Sequence, residues 1–85
     1  MNNFLDLARI EVSEYVLAHL GKSEEIPDFE VFVVWSCKTL QNYKALISTS
    51  LPDGMYYEIT YNGDKNELYF DAYKKFENKR RKLEE

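Results

Sequence analysis

Four features of this chain are of types that could do chemistry. They are one histidine, His19, one cysteine, Cys37, an acidic pair, Glu24-Glu25, and a basic run, Lys79–Lys82. A general base or metal ligand at His19 would need a Ser or Cys nucleophile, or further ligands, brought to it from scattered positions. The plainer account is a helix-end histidine beside the negative end of the dipole. Cys37 would need an exposed, electropositive setting to react. Lys38 is next to it in sequence but points to the other face of a strand, so a small buried hydrophobe is expected there. Glu24-Glu25 lies in a polar connector, where nothing shifts a carboxyl toward acid–base work. "KRRK" at Lys79–Lys82 resembles a nucleic-acid patch, yet Glu84 and Glu85 follow it and Glu77 stands at helical ion-pair spacing from Arg81. A solvated charged tail is the simpler reading.

The remaining stretch, "WSCKTLQNYKAL", combines Trp35 with Lys38, Gln41, Asn42 and Lys44. A rigid apolar anchor beside directional donors is the chemistry of interface hot spots. The same residues also suit the wet side and turn of a hairpin, with the tryptophan in the core.

The elements that must position these groups follow from periodicity. "NNFLDLARIEVSEYVLAHLGK" predicts a helix capped by Asn3, with Asp6 at its positive end and Gly21-Lys22 as its stop. Leu5, Ala8, Val12, Tyr15, Val16 and Leu20 recur at the three-four spacing of one buried stripe. Pro27 prevents continuation through the connector. "VFVVW" is apolar on both faces and reads as an inner strand. Gln41-Asn42 reads as a hairpin turn, with Asn42 tolerating the left-handed conformation. "YKALISTS" follows, with Tyr43, Ala45 and Ile47 on one face and Lys44 and Ser48 on the other. "LPDG" is a turn, and "MYYEITYNG" alternates Met55, Tyr57, Ile59 and Tyr61 against Tyr56, Glu58 and Thr60.

The segment from Asp64 supports two readings. As a helix it has Asp64 and Glu67 at capping-box spacing and an apolar stripe at Tyr69, Ala72, Tyr73, Phe76 and Leu83. As a fourth strand, Leu68, Phe70 and Ala72 would oppose Ile59, Tyr57 and Met55 across an Asn62-Gly63 turn. The expected fold is α+β, with an N-terminal helix on a three- or four-stranded antiparallel meander sheet and a C-terminal segment that is a fourth strand, a helix or both. Residues 1–85 make one small domain, with 77–85 a charged, frayed tail.

Composition narrows the function classes. Three Gly and two Pro with 45% hydrophobic residues argue against disorder, and 15% aromatic residues supply large buried areas to a thin core. A lone cysteine excludes an internal disulfide and a multi-cysteine zinc site. No apolar run reaches membrane-spanning length and no basic signal peptide opens the chain, so a cytoplasmic protein is expected. The net charge of −4 disfavours binding to phosphate backbones. Charge is uneven: residues 1–30 hold seven acids against two bases, net −5, and the rest holds eight acids against nine bases, net +1. The acidic front, including Glu11, Glu14, Glu24 and Glu25, is thus a second candidate contact surface.

From Trp35 to Asn78, "KTLQN-K-L" and "PDG-YYE-TYNG-K-E" resemble a family of small, uncharacterised proteins encoded by phages and prophages of Gram-positive bacteria. The resemblance implies no activity, cofactor or catalytic residue. It implies a phage accessory protein acting among host factors, without a membrane. The expected function is a non-enzymatic module that binds a host bacterial protein, such as an inhibitor of a defence or nucleic-acid enzyme. Its contacts would be Trp35, Lys38, Gln41, Asn42 and Lys44, or the acidic front. The alternative is a nucleic-acid-binding accessory of phage replication or recombination, its aromatics stacking on bases beside the lysines.

Overall fold

A computed structural model describes residues 3–20 and 28–83. Helix α1 (Phe4–Leu20) precedes four strands, β1 (Val31–Thr39), β2 (Asn42–Thr49), β3 (Met55–Asn62) and β4 (Glu67–Lys74). The strands form one antiparallel sheet in the order β1-β2-β3-β4, so the protein is α+β with an open meander. The segment from Glu67 is therefore a strand. The predicted helix stop at Gly21-Lys22 and the break at Pro27 lie outside the described residues. Among the described residues no helix is long and apolar enough to cross a membrane.

The start of α1 is fixed locally. Leu7 N–H donates to Asn3 O at 3.0 Å, and Asp6 pairs with Arg9 at 2.6 Å one turn on. Phe4, Ala8, Val12 and Val16 are the buried residues of the helix, spaced four apart. Leu5, expected on that stripe, is instead exposed, because strict four-residue spacing turns Phe4 inward. Ala8 and Ala45 are fully buried, and two such short side chains let the helix lie close to β2. The core is completed by Ile47, Tyr57 and Ile59, with Tyr43, Phe70 and Leu68 packed at its margin. Rings tie its ends: Phe4 stacks on Tyr43 at 5.2 Å, and Tyr15 meets Phe70 at 4.9 Å and Tyr57 at 5.6 Å. Burying each large apolar side chain here stabilises the fold by roughly 1.5–3 kcal/mol.

Three expectations are corrected. β1 is an edge strand, not an inner one. Its apolar character on both faces reflects one face at the helix and one face left bare, which local sequence does not distinguish from two flanking strands. Cys37 lies exposed on that edge strand instead of being buried. β4 is displaced by two residues from the expected pairing, with Ile59 opposite Phe70, Tyr57 opposite Ala72 and Met55 opposite Lys74. The displacement comes from a longer turn, in which Asn62 Oδ1 accepts from the N–H groups of Asp64 (3.1 Å) and Lys65 (3.3 Å). Asn66 takes φ 50° and its side chain accepts from the Tyr61 hydroxyl at 2.8 Å. A two-residue shift keeps every side chain on its expected face.

The first hairpin also turns differently. The left-handed residue is Leu40, at φ 56°, and Asn42 is already in the strand opposite Thr39. A leucine held in that region is strained, and its side chain is 81% exposed, so packing does not compensate. Leu40→Gly is expected to raise stability by about 0.5–1 kcal/mol, read as a higher urea midpoint. A lower midpoint would show that Leu40 makes a stabilising contact.

At the opposite end, Gly54 (φ 68°) relieves the exit of the "LPDG" turn and Asp53 Oδ1 accepts from Met55 N–H at 3.1 Å. Beyond Lys75, residues up to 83 form no regular structure, with Phe76 and Leu83 in solvent. Glu77 pairs there with Lys79 at 3.5 Å, not with Arg81, since no helix forms to bring Arg81 round.

Candidate functional site

The sheet has two unlike faces. α1 covers Tyr43, Ala45, Ile47, Tyr57 and Ile59, while the opposite face carries no covering element among the described residues. Cross-strand register places three rows on this bare face: Phe32–Ser48–Tyr56–Tyr73, Trp35–Leu46–Glu58–Asp71 and Cys37–Lys44–Thr60–Tyr69. Phe32, Trp35, Tyr69 and Tyr73 are 46%, 43%, 48% and 52% exposed.

Trp35 reaches this face through an irregularity. Val31 and Val33 oppose Thr49 and Ile47, so simple alternation would carry Trp35 beneath the helix. The register instead shifts between Val33 and Trp35, and Trp35 opposes Leu46 on the bare side. Bulges re-aim side chains in this way. The tryptophan is thus turned away from the core that could have buried it.

The other predicted site residues are dispersed. Lys44 is on the bare face, its Nζ 3.1 Å from Glu58 Oε1, and that hydrogen-bonded carboxylate raises its pKa above the ordinary lysine value. Lys38 is on the helix side, with its Nζ 5.2 Å from the Tyr43 ring centroid. Gln41 and Asn42 join the two turns at one end of the sheet: Gln41 Nε2 donates to Asp64 Oδ1, and Gly63 N–H donates to Asn42 Oδ1 at 3.0 Å. Glu14 is exposed and Glu11 half-buried on α1, on the far side of the molecule from Trp35. Glu24 and Glu25 lie outside the described residues. The structure therefore puts Trp35 and Lys44 on one face, in neighbouring rows, and holds Lys38, Gln41 and Asn42 in contacts within the chain.

The residues of catalytic type are also placed. His19 stacks on Tyr15 at 4.1 Å, with Nδ1 3.0 Å from the Tyr15 carbonyl one turn back. Cys37 opposes Lys44 on the bare face. Among the described residues no three His, Cys, Asp or Glu side chains gather as a metal site. Burial raises the pKa of Tyr57, and a hydrogen bond to Glu67 raises that of Tyr69, so both hydroxyls stay protonated at neutral pH.

Sequence reading missed Phe32, Leu40, Tyr69 and Tyr73. For the two tyrosines the signal was present: the fourth-strand alternative puts Tyr69, Asp71 and Tyr73 on the face of Tyr56 and Glu58. Leu40 had none, since a leucine does not announce a left-handed turn.

A family model described as "Family of unknown function (DUF6275)" matches residues 5–83. No curated protein and no solved structure matches the chain.

Proposed function

The chain belongs to this family of unknown function, and from that premise we propose that it is a non-enzymatic protein-binding module whose contact surface is the bare sheet face around Trp35. The observation that carries the reading is the bulge that turns Trp35 out onto an uncovered face. Phe32, Leu46, Tyr56, Tyr69 and Tyr73 extend the apolar area, and Lys44, Glu58 and Asp71 give it charged points of register. Aromatic anchors with a polar surround are the composition of interface cores. The resemblance of Trp35–Asn78 to small phage and prophage proteins supports a host bacterial protein as the partner, met in the host cytoplasm. A defence or nucleic-acid enzyme held inactive by this contact fits such a protein.

The second reading has the same rings stacking on single-stranded bases. Glu58 and Asp71 stand among those rings, and net charge −4 denies the counterion-release contribution that such binding uses. A labelled oligonucleotide is expected to show no anisotropy change at roughly physiological salt. A protein captured from a bacterial host lysate by the wild-type chain is expected to be lost with Trp35→Ala/Tyr73→Ala, whose melting stays close to the parent's. Equal capture by the variant would remove the bare face from the reading. A micromolar anisotropy shift with a steep salt slope would put nucleic acid first.

A further inference from the structure

The two edges of the sheet are built differently. β1 is interrupted by the register shift between Val33 and Trp35, and its entrance is clasped to the end of β2. In that clasp Ser50 N–H donates to Glu30 O at 3.0 Å and Glu30 N–H to Ser50 Oγ at 2.9 Å. A bulge is one of the ways in which edge strands avoid pairing with other chains. Among the described residues β4 has no such interruption. Glu67–Lys74 runs against β3 in unbroken register, contains no proline, and continues through Lys75, whose N–H donates to Gly54 O at 2.6 Å.

That last bond fixes which backbone groups are free. The N–H and C=O of one residue point to the same side of a strand, and the side alternates along it. With Lys75 facing β3, so do Tyr73, Asp71, Tyr69 and Glu67, leaving Leu68, Phe70, Ala72 and Lys74 with outward N–H and C=O groups. We infer that this edge pairs with its own counterpart in a second copy of the chain, β4 antiparallel to β4 about a two-fold axis perpendicular to the sheet.

Backbone and charge select one register. Full overlap of residues 67–75 puts Asp71 on the axis. Leu68 then opposes Lys74 and Phe70 opposes Ala72, so every outward group meets an outward group of the other copy. In the same register Tyr69 opposes Tyr73, Glu67 opposes Lys75 and, just past the strand ends, Lys65 opposes Glu77. Slipping by two residues brings Lys65 against Lys75 in one direction, or Glu67 against Glu77 in the other. Opposite charges across strands stabilise and like charges destabilise, so both slips are worse. The cost of the favoured register is Asp71 meeting its own copy, with Glu58 directly behind it on β3 and Lys44 beyond, bonded to Glu58. The joined sheet would continue the bare face from one copy into the next through Tyr69 and Tyr73. The pairing rests on β4 alone and stands whether or not that face holds a partner.

Sedimentation velocity of the full chain over a wide concentration range tests this. The wild-type chain is expected to pass from monomer to dimer as concentration rises. Ala72→Pro removes an outward N–H that β3 does not use, a change edge strands tolerate, and should leave a folded monomer. Lys75→Glu should weaken association about tenfold, as two exposed attractions become repulsions. Glu67→Lys with Lys75→Glu should restore it, which a merely structural effect of either change would not. Asp71→Asn should tighten it. A wild-type chain that stays monomeric, a dimer that survives Ala72→Pro, or a double swap that fails to restore association would each overturn the pairing.

Discussion

Replacing Gly63 by alanine is expected to lower stability by about 2–3 kcal/mol, the scale of an overpacked site that cannot relax. Gly63 sits where the β3–β4 turn lies against the tip of the β1–β2 hairpin. A Cβ at this position would run into the Gln41 carbonyl oxygen and come within 2.7 Å of Gln41 Cγ and 2.8 Å of its Cβ. Gln41 follows Leu40, already held at φ 56°, so its backbone has little room to move. Withdrawing Gly63 would stretch its bond to Asn42 Oδ1 and draw Asp64 away from Gln41 Nε2. Gly54→Ala is the informative control, since its Cβ would meet nothing closer than 3.6 Å and only φ 68° opposes it. That change should cost about 1 kcal/mol, the conformational penalty alone. Urea midpoints for the two variants decide the matter. Equal, small losses would mean that the two turns are not packed together, and that Gln41 and Asn42 are free for other contacts.

The same junction shows what sequence could and could not reveal. "QN" and "NG" each read as a turn, because amides and glycine are turn residues by local chemistry. That one turn would serve as the other's seat was not legible, since it depends on β2 and β3 bringing the hairpin tips side by side. Alternation of Met55, Tyr57, Ile59 and Tyr61 identified the buried face of β3 correctly, and Tyr57 and Ile59 are in the core. "VFVVW" misled because alternation describes the faces of a strand, not the presence of a neighbour at its edge. Trp35 was singled out by type, but its exposure depends on one extra residue in β1, a quantity no local pattern carries. Lys38 and Lys44 look equivalent in sequence. The register puts one on the helix side and one on the bare face, six residues apart across a two-residue turn.

Ile59→Ala and Val33→Ala, both at strand positions facing α1, are expected to differ several-fold in cost. Ile59 is fully buried, flanked across the sheet by Ala45 and Phe70. Neither neighbour can swing into the space, because Ala45 has no rotatable side chain and the Phe70 ring is packed against Tyr15 and Tyr57. The loss should be about 3–5 kcal/mol, the upper part of the range for large-to-small changes in cores. Val33 opposes Ile47 on the outer strand, is only half-buried, and precedes the register shift that lets β1 adjust. Removing two partly exposed methyl groups there should cost about 1 kcal/mol. A domain of this length is stable by roughly 4–13 kcal/mol, so the first change consumes a large share of that margin and the second does not. Thermal melting should fall by more than about 10 °C for Ile59→Ala and by about 4–8 °C for Val33→Ala. Equal falls would mean that Val33 is held as deeply as Ile59 and that the register shift gives β1 no room to adjust.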